Sequence, residues 1–496
     1  MAVIRKEALR IVKRQSGVLL PVFSLPGEYS CGSFGSEARA FVDALAAGGF
    51  SVWQVLPFCP ADECNSPYKS YSAFSGNPYF IDLPDLHRRG LLTEEELSSA
   101  KQTTPYACEY ERLARERMPL LAKAAARMTD RTPIEDFLRT HPSVASFCEF
   151  MGRRAAEGER PWYEWTSNDV DRETERVWQF AQYIFFVQWK ELRAYANARG
   201  VRIVGDIPMY VSLDSADVWA EPEEFLLDAK RRPTAVAGVP PDYFSEDGQL
   251  WGNPLYNYAY MRKNGFAWWR RRMAAMAEMF DGVRIDHFRA FDAYFSIPVE
   301  ATSAKAGAWK KGPGMALIRA LREAAGDTFL IAEDLGDITP SVRALLKKSG
   351  LPGMRVLQFG FLSDGPSIHQ PHAYVENCVA YTGTHDNNTL LGYMFEMPAE
   401  RREQLMAYIG RAGEDFNRPT VYRAVLSTLL MSAAGLAVVP LQDLLMYGAD
   451  TRINTPGRAE GNWTYRVTAE QLASLPWDAL RDMNRTYGRT GCAAED

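Results

Sequence analysis

Eight short apolar runs, separated by helix-patterned stretches, restrict this chain to a small set of folds. The runs are residues 17–23, 51–56, 201–206, 282–286, 328–333, 355–359, 378–381 and 436–439. Each is too short for a globular helix, and such runs suit strands covered on both faces. Between them, Ala, Leu, Glu and Arg recur at helical periods. Alternating strands and helices build parallel βαβ units. Eight such strands close a (β/α)8 barrel, the TIM barrel, so the expected fold class is α/β of that type. Pro57, Pro208 and Pro440 fall just past three of the runs, where the ladder needs no further donor.

The spacing of the runs is uneven. Residues 56 to 201 are too far apart for one crossover, and helical patterns fill residues 91–101, 106–128, 133–140, 144–153 and 172–199. Residues 83–166 therefore read as a mainly helical subdomain inserted after the second strand, with residues 170–199 returning as the crossover helix. A second insertion, residues 212–260, follows the third strand. It is rich in Pro, Gly, Asp, Tyr and Trp and reads as an ordered, loop-rich subdomain. The expected organisation is one barrel domain over residues 1–496 carrying both insertions.

The chain has 496 residues and a net charge of −6, which argues against a nucleic-acid or anionic-membrane partner. Seven scattered cysteines (Cys31, Cys59, Cys64, Cys108, Cys148, Cys378, Cys492) fit reduced thiols better than a disulfide framework. Residues 1–15 mix charges with short apolar pairs and lack the apolar core of a secretory leader, so a cytoplasmic location is expected. Residues 424–442 are uncharged and near membrane-spanning length. Their Gly435, Pro440 and hydroxyl residues favour a buried helix running into a strand.

In such a barrel the ligand site is built at the C-terminal strand ends. The residues there are acidic: Asp206, Asp286, Glu333-Asp334, Asp386 and Asp443. No His/Cys spacing suggests a metal, and no cofactor is expected. In Phe280-Asp281-Gly282-Val283-Arg284-Ile285-Asp286-His287, strand alternation puts Arg284 and Asp286 on one face and Val283, Ile285 and His287 on the other. A guanidinium beside Asp286 keeps it ionised, as a nucleophile requires. Glu333 follows Phe329-Leu330-Ile331-Ala332, an apolar flank that raises a carboxyl toward the range of a general acid. Two such carboxyls are what glycoside chemistry needs. Alternation sets Glu333 and Asp334 on opposite faces, and spacing alone does not choose between them. Two loops, residues 65–79 and 238–254, combine Pro/Gly turns with Tyr, Phe and Trp, a mixture suited to sugar faces and hydroxyl edges.

Together, Val283–Phe288, Ala332-Glu333-Asp334-Leu335-Gly336 and Thr382-Gly383-Thr384-His385-Asp386-Asn387 resemble the α-amylase superfamily of retaining α-glucan enzymes. Ser66-Pro67-Tyr68, Gly76-Asn77-Pro78, residues 238–254 and Gly461-Asn462-Trp463 narrow the resemblance to 4-α-glucanotransferases of the amylomaltase, or disproportionating-enzyme, type. The resemblance implies that Asp286 is the nucleophile, Glu333 the general acid and then base, and Asp386 the carboxylate that holds substrate hydroxyls and stabilises the transition state. Arg284, Asp206, His287 and His385 are implied to line the site, with Tyr68, Ser66, Asp242, Trp251 and Asn462 bordering the glucan groove. The implied partners are maltooligosaccharides, starch- or glycogen-derived glucans, and glucose as an acceptor. A transferase must keep water from the covalent intermediate, and residues 239–249 are the expected lid. The alternatives are a retaining α-glucan hydrolase on the same scaffold and a non-catalytic glucan-binding protein.

Overall fold

A computed structural model describes residues 14–61, 64–241, 246–458 and 460–490. Twelve strands occur among them. In chain order they are β1 (Gln15–Leu19), β2 (Val52–Gln54), β3 (Arg202–Ile207), β4 (Ala235–Val239), β5 (Gln249–Pro254), β6 (Gly282–Ile285), β7 (Ala293–Pro298), β8 (Ala308–Lys311), β9 (Phe329–Ala332), β10 (Gly353–Val356), β11 (Cys378–Tyr381) and β12 (Leu436–Pro440).

Eight of them close a parallel barrel in the order β1-β2-β3-β6-β9-β10-β11-β12 and back to β1. This is the TIM barrel that the eight apolar runs predict. Its interior is filled by Leu19, Val52, Val204, Phe329, Ile331, Met354, Val356, Val379, Tyr381, Leu436 and Val438. Burying each apolar side chain of this size contributes roughly 1.5–3 kcal/mol. With the barrel interior filled by side-chain layers, a ligand site is built at the strand ends.

Two strands sit elsewhere than expected. The first occupies residues 15–19 because Pro21 breaks the ladder, and Val22–Ser24 turns as a 3-10 helix. The sixth occupies residues 353–356, and the apolar run after it, Leu357–Phe361, also coils into a 3-10 helix. Gly353 is required in that strand: a Cβ there would meet the Asp334 carboxylate at 2.6 Å.

The long gap between β2 and β3 is helical. It holds Leu83–Arg88, Glu94–Ser99, Tyr110–Arg127, Thr132–Thr140 and Pro142–Ala156, then the 27-residue helix Arg172–Ala198. The last of these buries Trp178, Phe180, Ile184, Phe185 and Trp189, with Trp189 against Phe58 and Phe280 and Trp178 against Phe147 of the inserted helices, so these aromatics are core. The segment after β3 holds two strands, β4 and β5, beside its loops. Its β4 and β5 join β7 and β8, which follow the fourth barrel strand, in an antiparallel sheet ordered β5-β4-β7-β8. β5 and β8 mix polar with apolar residues, as in Gln249–Pro254 and Ala308–Lys311, so no continuous apolar run marks them in sequence.

Six cysteines are free thiols, and Cys492 lies outside the described residues. Within residues 424–442 the helix Pro419–Met431 ends before β12 begins. Among the described residues no helix is long and apolar enough to cross a membrane.

Candidate active site

The strand that carries Asp286 ends abruptly. β6 stops at Ile285, and His287 adopts a left-handed backbone with φ 49°. A non-glycine residue there is held by its surroundings. The turn ends the alternation of faces, so His287 and Asp286 both border one cleft instead of opposite sides of the sheet. The cleft has a volume of about 430 Å³. Ser66, Tyr68, Trp251, Asp286, His287, His385, Asp386 and Asn462 all line it. Asp242 lies outside the described residues.

Beneath the cleft is a chain of charges. Arg284, only 4% exposed, donates through Nη1 to both oxygens of Asp206 at 2.9 and 2.6 Å. Its Nη2 reaches Asp286 Oδ1 at 2.8 Å. The Asp206 side chain has no exposure and also accepts the Tyr68 hydroxyl at 2.8 Å. Arg284 and Asp206 thus form the floor behind the cleft wall. Burial pushes the Asp206 acid up, and the Arg284 charge opposes this. Surrounded by Asp206 and Asp286, Arg284 is held firmly protonated despite its burial.

Glu333 and Asp334 point apart, as alternation requires, and the structure separates their surroundings. Asp334 accepts the Met354 backbone N–H at 2.6 Å and pairs with Arg355 at 3.2 Å, toward β10. Glu333 faces the other way. Its carboxylate accepts the backbone N–H of His287 at 2.8 Å and of Leu335 at 2.7 Å. It is therefore fixed against the residue that follows Asp286. Burial, with the Asp286 charge adding to it, pushes the Glu333 acid up to about 7, although Arg284 and the two backbone donors oppose the rise.

The third acid is on the loop after β11. Asp386 Oδ1 accepts from Asn454 Nδ2 at 2.6 Å, and its Oδ2 lies 3.3 Å from His385 Nε2. His385 stacks on Tyr68 with ring centroids 5.2 Å apart and planes 15° from parallel. Trp251, also lining the cleft, sits edge-on to His287 at 5.1 Å, and Gln249 fixes the indole N–H at 3.0 Å. Burial lowers the His287 imidazole to about 4, so the ring is neutral at pH 7. Asn462 Oδ1 accepts the Thr455 N–H at 2.8 Å and shapes the turn at the cleft rim.

Asn454, Tyr210 and Gln249 also line the cleft, and sequence reasoning did not single them out. The turn signal Thr455-Pro456-Gly457 lies next to Asn454 and offered a clue. Gln249 shares a face of β5 with Trp251, two residues along, which only the sheet reveals. Among the described residues no group of three or more His, Cys, Asp or Glu is placed to hold a metal ion.

The geometry offers a carboxylate paired with Arg284 at a cleft, a buried acid raised to about 7 beside it, and a third carboxylate that lines the same cleft. Comparison with known proteins adds an independent finding. A family profile described as 4-alpha-glucanotransferase matches residues 20–472. The 4-alpha-glucanotransferase of Streptococcus pneumoniae is 40% identical over 497 residues, covering 96% of this chain and 98% of that one. The Thermus thermophilus protein of the same description is 41% identical over 493 residues, covering 95% and 98%. Among solved structures, the amylomaltase from Streptococcus agalactiae in complex with acarbose aligns with a TM-score of 0.91 at 37% identity, over 96% of this chain and all of that one.

Proposed function

Because the chain belongs to the 4-α-glucanotransferase family, we propose that it moves α-1,4-glucan segments from a donor to the 4-OH of an acceptor by double displacement on Asp286, Glu333 and Asp386. The donor is a maltooligosaccharide or a starch- or glycogen-derived chain, and the acceptor is a glucan or glucose. One observation carries this reading: Glu333 is pinned to the residue after Asp286 and tuned to about 7 beside an Arg284-paired carboxylate.

In the first displacement an Asp286 oxygen bonds to the anomeric carbon as the glycosidic C–O bond breaks. Glu333 gives its proton to the leaving oxygen, and the shortened donor departs. The product is a glucosyl ester on Asp286. In the second displacement Glu333, now a carboxylate, takes the proton of the acceptor hydroxyl. That oxygen attacks the anomeric carbon, the ester bond to Asp286 breaks, and stereochemistry is retained.

Arg284 holds the Asp286 carboxylate in place for the attack through a contact of 2.8 Å. Asp386 and His385 hold sugar hydroxyls across the cleft, where charge develops on the ring. Tyr68 and Trp251 offer ring faces to the glucose units. Ser66 and Asn462 border the groove, and Asp206 and His287 keep its floor and wall in place. Residues 83–166 and 212–260 are proposed as two insertions on the barrel, and Gln249, Trp251 and Asn253 of the second line the groove.

Maltotriose incubation tests the proposal. Products longer than the donor, together with glucose and maltose, support transfer. Glucose and maltose with no longer chains identify a hydrolase instead, and unchanged maltotriose identifies a protein that binds without turnover.

A further inference from the structure

Asp443 is a buried carboxylate that the chemistry above does not use. It follows β12 and is 1% exposed. Its Oδ2 accepts the Thr382 hydroxyl at 2.5 Å, and its Oδ1 accepts the backbone N–H of Leu390 at 2.7 Å. Thr382 is the first residue after β11, and Leu390 is the first residue of the next helix. Between them runs the loop 382–389, which presents His385 and Asp386 to the cleft. One carboxylate therefore grips both feet of that loop.

The rest of the loop has other restraints. Asn454 donates its backbone N–H to the His385 carbonyl at 3.1 Å, Arg452 reaches the Asp386 carbonyl at 2.6 Å, and Gln358 reaches the Asn388 carbonyl at 2.8 Å. These hold the loop's middle and far end, whereas Asp443 fixes the separation of its ends.

A buried acid with no cation beside it is costly to keep. The Leu390 N–H is one of the unpaired donors of a helix first turn, which favours a negative charge. The remaining titratable group facing Asp443 is the buried Tyr422 hydroxyl, from the helix Pro419–Met431 packed behind it, and that hydroxyl has no hydrogen-bond partner. Burial pushes the Asp443 acid up to about 6 against the pull of the two hydrogen bonds. Nothing in packing alone requires a carboxylate there.

We propose that Asp443 is a positioning residue for glucan transfer: by gripping Thr382 and Leu390 it sets the pose in which Asp386 and His385 meet the sugar. The proposal rests on the role given to Asp386 above. Its action is indirect, since Asp443 does not touch the cleft.

The test uses the full chain and four variants: Thr382→Val, Thr382→Ser, Asp443→Asn and Asp386→Asn. For each, kcat and KM for maltotriose disproportionation are measured with the melting temperature. Thr382→Val keeps the side-chain volume and removes one foot of the grip. Its kcat is expected to fall on the order of 10²-fold, the cost of about 1 Å of misplacement. KM and melting temperature stay near native, and Thr382→Ser restores kcat. Asp443→Asn, if it folds, shows the same split between kcat and KM. Native kcat in Thr382→Val, or Thr382→Ser as impaired as Thr382→Val, overturns the proposal. The Asp386→Asn variant separates the two readings. If it is inactive while Thr382→Val is native, only the positioning role fails. If it stays active, the role of Asp386 fails and the positioning proposal fails with it.

Discussion

Arg284 meets Asp286 at 2.8 Å through one arm of its guanidinium while the other arm is locked to Asp206. The pair sits at the end of β6, where the chain turns left-handed at His287 and brings Glu333 alongside. One short segment therefore positions both carboxylates of the proposed chemistry, Asp286 and Glu333.

Replacing Asp286 by Asn removes the carboxylate proposed to attack but leaves Arg284 its Asp206 partner. The Asp286 side chain is 29% exposed, so the loss uncovers no fully buried charge. The variant is expected to fold with a native melting curve and show no turnover of maltotriose. Activity surviving with that melting curve reassigns the nucleophile.

As the proposed general acid, Glu333 must carry a proton when the donor arrives. Its acid is raised from 4.5 to about 7, so the protonated form dominates below pH 7 and is lost as pH rises through that value. kcat/KM on maltotriose is expected to fall on the alkaline side with a midpoint near 7. In Glu333→Gln that limb disappears and the rate on natural glucans drops on the order of 10²-fold or more, from lost acid catalysis. A variant that keeps the alkaline limb assigns it to another group.

Asn454 reaches Asp386 Oδ1 at 2.6 Å from the far lip of the cleft. Asn454→Ala removes one of the contacts that aim that carboxylate. A hydrogen bond to a charged group contributes roughly 1.5–3 kcal/mol, so kcat is expected to fall on the order of ten-fold or more. Steady-state kinetics alongside thermal melting checks this. An unchanged kcat shows that Asp386 holds its pose without Asn454.

Tyr68 has two separable parts. Its ring stacks on His385, and its hydroxyl donates to the buried Asp206. Tyr68→Phe keeps the ring and leaves Asp206 one donor fewer, so a stability loss of about 1–3 kcal/mol is expected with KM little changed. Tyr68→Ala also removes the stack and is expected to raise KM. Equal KM values in the two variants contradict a sugar-facing role for the ring.

The barrel was legible because strands covered on both faces must be apolar, and few other things in a sequence look like that. What escaped has a physical reason. At residues 17–23 and 355–359 the apolar run continues into a 3-10 turn, and apolar content alone does not mark where the ladder stops. The antiparallel sheet of β4, β5, β7 and β8 pairs short, weakly patterned segments from either side of β6, and local sequence does not encode such pairings. Within the site, the choice between Glu333 and Asp334 depended on which neighbouring backbone each meets. The grip of Asp443 on residues 382 and 390 depends on two neighbouring strands being side by side.

The central claim is a covalent glucosyl ester on Asp286, and it can be weighed directly. Mixing Glu333→Gln with a maltosyl fluoride, a donor whose leaving group needs no acid, allows the first displacement and slows the second. Trypsin then cuts after Arg284 and Arg289, releasing a peptide of residues 285–289 whose one nucleophilic carboxylate is Asp286. Mass spectrometry is expected to find the maltosyl adduct on that peptide. An adduct on any other peptide, or product formation with residues 285–289 unmodified throughout, contradicts the account.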